Sequence, residues 1–392
     1  MPRWLYVLLI ALPLALLAGA FGWPPLATFV LAALALIPLA GLIAIATEAL
    51  AEQVGGFLGG LLNATFGNAP ELIIGFAALF AGLNSVVLAS ITGSIIGNSL
   101  FVLGMSMLAG GWRFRLQRFD VRAAGQFASL LALAVAGLVI PTLVGTFGGG
   151  LRSGQSVPSA AQFHVLSLVI AALLLLGYLA YLAHAVFRVR AEPSVVTDPV
   201  PPISTSEPEA EDERAAHDER KPERAAERAG RLPRWLQLHA SPVAALLLLG
   251  LATVLTAVTS EVLVGVIEPV AHQNHLSPFF VGLIIVPIVG NAAEHASAVT
   301  MALRDRMDIT LAITAGSAIQ VALFIAPVLI LGSDVVGHPL DFLFRPLELV
   351  IFALTAGLYA LICLDGESTW LEGLQLLIFY LIVAAAAFII PM

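Results

Sequence analysis

Long apolar runs dictate what this chain can become. They fall at about 4–21, 26–46, 55–82, 85–110, 122–142 and 161–187, and then at about 241–267, 277–303, 308–332, 343–364 and 369–390. A run of about 20 apolar residues is what a helix needs to cross the hydrocarbon core of a bilayer. Backbone in that core must satisfy its own hydrogen bonds, so such runs span as helices. The expected fold is an all-α polytopic membrane protein with about 11 transmembrane helices. Only 11% of the 392 residues are charged, where a soluble domain is nearer a quarter. No basic face lies outside the short loops, which excludes nucleic acid as a partner and leaves the lipid bilayer. The single Cys363 excludes an intrachain disulfide and a thiolate metal cluster. At the N-terminus, Arg3, an apolar run and Leu17-Ala18-Gly19-Ala20 fit either a cleaved signal peptide or an uncleaved first span. The span is preferred, because a first helix can insert a polytopic chain.

One stretch occurs twice. Gly67-Asn68-Ala69-Pro70-Glu71-Leu72-Ile73-Ile74 is echoed 223 residues later by Gly290-Asn291-Ala292-Ala293-Glu294-His295-Ala296-Ser297. At the same offset Leu88-Ala89 matches Leu311-Ala312, Gly93-Ser94 matches Gly316-Ser317, and Leu100-Phe101 matches Leu323-Phe324. The echo links spans 3–4 with spans 8–9, so the repeating unit is five spans. An odd unit enters the membrane the opposite way the second time, which predicts two inverted five-helix repeats plus one extra N-terminal helix. The expected divisions are residues 1–25 for the extra helix, 26–190 for the first repeat, 191–240 for a charged cytoplasmic linker and 241–392 for the second repeat. The Glu- and Arg-dense linker reads as a solvated connector, with a cation-sensing acidic helix as the sharper alternative. With the N-terminus in the cytoplasm, 16 Lys and Arg fall inside, leaving only Arg152 and Arg345 outside. The positive-inside rule thus places the C-terminus outside. A bacterial inner membrane is the expected location.

Each copy sets a Gly-Asn pair and a Glu in the middle of an apolar run. A carboxylate at that depth is costly and marks a functional site. Gly loosens the helix and Pro70 removes a backbone donor, so both motif runs are expected to be broken helices. Gly67 and Gly290 would offer carbonyl oxygens, Asn68 and Asn291 amide oxygens, and Glu71 and Glu294 carboxylates. Such a set suits a hard cation such as Ca²⁺ rather than Zn²⁺ or Cu. Two carboxylates neutralise one divalent ion, and when empty they repel each other and take up protons. Ser94 and Asn98 on one following span, and Ser317 and Gln320 on the other, should each point at the motif of their own half. The plainer reading of these residues is interhelical hydrogen bonding. His295 adjoins Glu294 and titrates near neutral pH, which suggests a coupling role. Glu48 and Glu261 are placed at the ends of spans 2 and 7, each after a hydroxyl residue, as acidic gates. Glu52, Glu268 and Glu348 lack a counterpart and are read as structural.

The two signature stretches resemble those of the calcium/cation antiporter superfamily, and more narrowly its Ca²⁺/H⁺ exchanger branch. Leu61-Leu62-Asn63-Ala64-Thr65-Phe66 ahead of the first motif and the Glu294-His295 pair strengthen the likeness, which extends over essentially the whole chain. The resemblance implies Ca²⁺ export driven by proton entry, the motif glutamates as ligands, and alternating access by sliding of spans 2 and 7. Ca²⁺ is then transported substrate and H⁺ the coupling ion, with no cofactor. Pro70 departs from the small aliphatic or Thr residue expected before the first Glu. A Na⁺/Ca²⁺ exchanger, a passive cation channel and a membrane-embedded enzyme are the competing classes. The Asn-Ala core and His295 favour protons over Na⁺, broken repeats favour a carrier, and no nucleophile–base pair supports an enzyme.

Overall fold

The computed structural model describes residues 7–54, 59, 61–62, 65–147, 159–191 and 241–389. Residues 1–6, Asn63-Ala64 and most of the 191–240 linker lie outside this set. Ahead of the linker lie helices α1 (Ala11–Phe21), α2 (Pro25–Val54), α3 (Ala69–Phe80), α4 (Asn84–Phe114), α5 (Val121–Phe147) and α6 (Ala160–Ala191). After it come α7 (Pro242–Gln273), α8 (Pro278–Gly290), α9 (Ala292–Ala302), α10 (Met307–Val336), α11 (Pro346–Ile362) and α12 (Trp370–Ile389). Seven of the described helices are long and apolar enough to cross a membrane, and the bent pair α8–α9 has the combined length and apolarity for an eighth crossing if it forms one span. Three shorter apolar helices, α1, α3 and α11, occupy the remaining sequence runs.

Local chemistry sets the helix ends. Ser241 and Ser277 cap α7 and α8 by accepting from Ala244 N and Phe280 N, each followed by Pro at the first helical position. Gly22 and Gly337, at φ 64° and 83°, close α1 and α10 in the left-handed conformation. Both motif runs are broken as their Gly-Asn pairs predict. The chain turns at Gly67-Asn68, and α8 meets α9 at a 62° bend on Asn291.

In α4, 83% of the apolar window is buried, against 22% in α6, so α4 runs through the middle of the bundle. It carries a π-helical turn at Gly97–Val102, and α10 carries one at Val321–Ile325. Such turns widen a helix by one residue and recur at functional sites. The α2 and α7 helices pack together along their length. Two loops also pair across 249 residues, as the strands Leu116–Arg118 and Glu367–Thr369 align antiparallel with Gln117 opposite Ser368. Between α10 and α11 the chain is extended and buried at Leu340, Phe342 and Phe344. Ser167 Oγ accepts from Phe342 N at 3.2 Å, while Thr142 Oγ1 donates to Phe342 O at 2.9 Å and accepts from Phe344 N at 3.0 Å.

Candidate functional site

The two breaks and the π-turned segments of α4 and α10 converge in the core. Asn68 and Asn291 sit at the breaks with φ, ψ of −104°, 24° and −94°, 8°. Each breaks its helix while the next turn restarts, through Leu72 N to Asn68 O at 3.2 Å and His295 N to Asn291 O at 2.9 Å. The motif carboxylates therefore lie in the first turns of α3 and α9, where the helix dipole favours negative charge. Glu71 reaches across to the second motif: a methyl built on Gly290 would lie 3.6 Å from Glu71 Oε1. The two carboxylates are close enough to repel each other.

Around them six neutral side chains form one hydrogen-bonded cluster. Ser317 Oγ donates to Asn68 Oδ1 at 3.2 Å and lies 3.4 Å from Asn291 Oδ1, and Asn68 Nδ2 donates to Gln320 Oε1. Asn98 Nδ2 donates to Ser317 Oγ at 2.9 Å and lies 3.4 Å from Asn291 Oδ1. Asn291 Nδ2 donates to Pro287 O at 3.0 Å and to Ser94 Oγ at 3.4 Å.

This pairing corrects the expectation that each serine face points at its own half. Gln320 and Ser317 hold Asn68 of the other half, while Ser94 and Asn98 hold Asn291. Only Ser317 also reaches the motif of its own half. The reason is close backbone approach: a Cβ on Gly93 would lie 1.9 Å from Leu283 O and 2.6 Å from Pro287 Cγ, so α4 presses bare backbone against α8. Gly93 was visible in the echo, but the sequence did not say which helix it faced.

Three acceptor atoms in this cluster are buried without a donor: Glu71 Oε2, Glu294 Oε2 and Asn98 Oδ1. An unpaired buried acceptor costs several kcal/mol (about 1–3 for a neutral group, more for a charged one). A cation is the kind of partner that could serve all three, since it binds oxygens and needs no hydrogen. Gly67 lies in the turn just ahead of α3 and Gly290 ends α8, so both flank the cluster.

The remaining candidates lie elsewhere. His295 is buried, 9% exposed, and its ring stands edge-on to Phe101 at 6.0 Å between centroids. Glu48 and Glu261 do not end their helices, since α2 continues to Val54 and α7 beyond Gly265. Both are exposed, while the preceding Thr47 and Ser260 are fully buried, because a helix that turns a hydroxyl inward carries the next side chain about 100° around. The structure does not bring these two glutamates into the asparagine cluster.

The profile of the family described as sodium/calcium exchanger protein matches residues 24–187 and 244–389. A protein of Synechocystis named Ca(2+)/H(+) antiporter is 39% identical, over 98% of this chain and 97% of that protein. Its namesake from Aphanothece halophytica is 38% identical, over 98% of this chain and 96% of its own length. The crystal structure of YfkE, titled a Ca²⁺/H⁺ antiporter protein, superposes with a TM-score of 0.76 at 34% identity, covering 99% of this chain and all of that one.

Proposed function

The chain belongs to the sodium/calcium exchanger protein family, and within that family we propose that it exchanges Ca²⁺ for H⁺. The observation that carries this reading is the trio of donor-less buried oxygens on Glu71, Glu294 and Asn98, set among neutral amide and hydroxyl oxygens. Relatives bearing the antiporter name match end to end, which favours protons over Na⁺ as the counter-ion. One Ca²⁺ would take a carboxylate from each half together with oxygens of Asn68, Asn291, Ser94, Ser317, Asn98 and Gln320, and carbonyls of Gly67 and Gly290. When it leaves, the paired carboxylates lose their neutralising charge and accept protons instead. The site then holds either the ion or protons, which is what obligatory exchange requires.

The proposal takes α1, α3 and α11 as spans alongside the long helices, which makes eleven and two inverted five-helix halves. The crosswise pairing of Asn68 with Ser317 and Gln320, and of Asn291 with Ser94 and Asn98, fits a twofold relation between those halves. The α2–α7 pair, which packs as a unit, is the moving element of alternating access. Glu48 and Glu261 on that pair attract cations to the openings. The membrane is a bacterial inner membrane with the N-terminus inside, and the divisions at 1–25, 26–190, 191–240 and 241–392 follow the repeats.

The test is ⁴⁵Ca²⁺ uptake into sodium-free proteoliposomes with an acid interior. Uptake that collapses with protonophore is the expected result. Uptake that appears only with Na⁺ inside would make the protein a Na⁺/Ca²⁺ exchanger, and uptake indifferent to both gradients would make it a channel. His295→Ala is expected to alter the pH dependence of uptake while Ca²⁺ half-saturation at one fixed pH changes by no more than about threefold, since the ring holds no cluster oxygen. An unchanged pH profile would leave His295 as packing for Phe101.

A further inference from the structure

Outside the asparagine cluster, Glu348 is the one buried acidic residue among the described residues, at 2% exposure. It stands in the first turn of α11, where it closes a capping box with Arg345: Glu348 Oε2 accepts from Arg345 N at 2.7 Å. Capping boxes ordinarily sit at solvated helix ends and involve nothing beyond their own helix. Here the second oxygen is spent elsewhere. Glu348 Oε1 accepts from Thr92 Oγ1 at 2.5 Å, which ties the start of α11 to the interior of α4.

Thr92 directly precedes Gly93 and Ser94. Successive residues of a helix point about 100° apart, so these three define how α4 is turned. Thr92 is held by Glu348, Gly93 lies against the Leu283 carbonyl of α8, and Ser94 meets Asn291. The capping partner also reaches α8, for the Arg345 guanidinium lies 4.1 Å over the Phe279 ring at that helix's start. Glu348 and Arg345 thus bridge the two helices whose contact brings Ser94 and Asn98 to the second motif. The arrangement has no twin. The residue 223 positions before Glu348 is Gly125, and the one 223 after Thr92 is Ala315. Only the α4 face of the cluster is fixed in this way.

The geometry assigns Glu348, acting through Thr92, as a positioning residue for the cation site: it sets the turn of α4 that presents Ser94 and Asn98 to Asn291. The assignment rests on the cluster being the Ca²⁺ site. It does not depend on which ion is exchanged for Ca²⁺, and Ca²⁺ binding measured without any gradient separates the two questions.

The experiment is ⁴⁵Ca²⁺ equilibrium binding to purified full-length protein in detergent, together with uptake into proteoliposomes. Thr92→Val keeps the shape and deletes the bond; it is expected to raise half-saturating Ca²⁺ about threefold to tenfold, the equilibrium factor of one ordinary net hydrogen bond. Maximal uptake should stay within about twofold, because the ligands themselves remain. Glu348→Ala should shift half-saturation at least as far. Glu348→Gln should recover most of it, since the amide can accept from Arg345 N and donate to Thr92 Oγ1. A purely structural cap would lower the yield of folded protein without moving half-saturation in what folds. Thr92→Val with wild-type half-saturation, or Glu348→Gln no better than Glu348→Ala, would overturn the assignment.

Discussion

Glu71→Gln and Glu294→Gln are each expected to abolish Ca²⁺ exchange, by more than about 100-fold, in a protein that still folds and elutes as the parent does. The size follows from charge. Even unit charges 4 Å apart attract by about 4 kcal/mol near a protein surface, and a divalent ion in contact with a carboxylate does better. Part of that attraction offsets the cost of stripping water from the ion, which is why the expectation is set at the lower factor. Glutamine keeps the shape and one oxygen acceptor, so the fold has little reason to suffer. Removing a buried carboxyl that must take up a proton to avoid an uncompensated charge should even relieve the empty state, because Glu71 Oε2 and Glu294 Oε2 meet no hydrogen-bond partner. Thermal unfolding of the purified variants without Ca²⁺ checks this: midpoints at or above the parent's are expected. Substantial transport by either variant would remove the two-carboxylate site.

The second large effect belongs to Gly93. Gly93→Ala would place a methyl 1.9 Å from Leu283 O and 2.6 Å from Pro287 Cγ. Overpacking costs about 1–3 kcal/mol where side chains can give way, and here the nearest obstacle is a backbone carbonyl. The α4 and α8 helices must separate, and the 3.4 Å contact between Asn291 Nδ2 and Ser94 Oγ is lost with them. A loss of at least about tenfold in uptake, with lowered thermal stability, is expected. Gly125→Ala, whose methyl meets nothing within 4 Å, is the matched control and should behave as wild type.

Much of this architecture was legible because it is written in local patterns. Apolar length placed the helices, and Gly-Asn flanked by apolar residues placed the breaks at Asn68 and Asn291. The candidate oxygens of Asn68, Asn291, Ser94, Ser317, Asn98 and Gln320 do gather in one cluster. What stayed hidden was which helix meets which. A fixed offset says that two residues are equivalent, but not that they touch, so the crosswise pairing was missed. The offset also aligned Gln320 with Gly97 rather than Asn98. The structure gives Asn98 and Gln320 matching partners all the same, for the π-turns begin at Gly97 and Val321 and glutamine is longer by one methylene. Glu348 looked structural because it has no repeat partner. Its contact with Thr92 spans 256 residues, beyond any local pattern. The same holds for Glu48 and Glu261, whose helices run past the polar residue that seemed to end them.

The central claim is that one site holds either Ca²⁺ or protons. It is tested most directly by titrating purified protein with Ca²⁺ in weakly buffered, sodium-free detergent solution while recording the pH. Ca²⁺ binding should release protons into solution, in an amount that follows occupancy and vanishes in Glu71→Gln and Glu294→Gln. Ca²⁺ binding at full occupancy with no proton release at any pH would contradict the account.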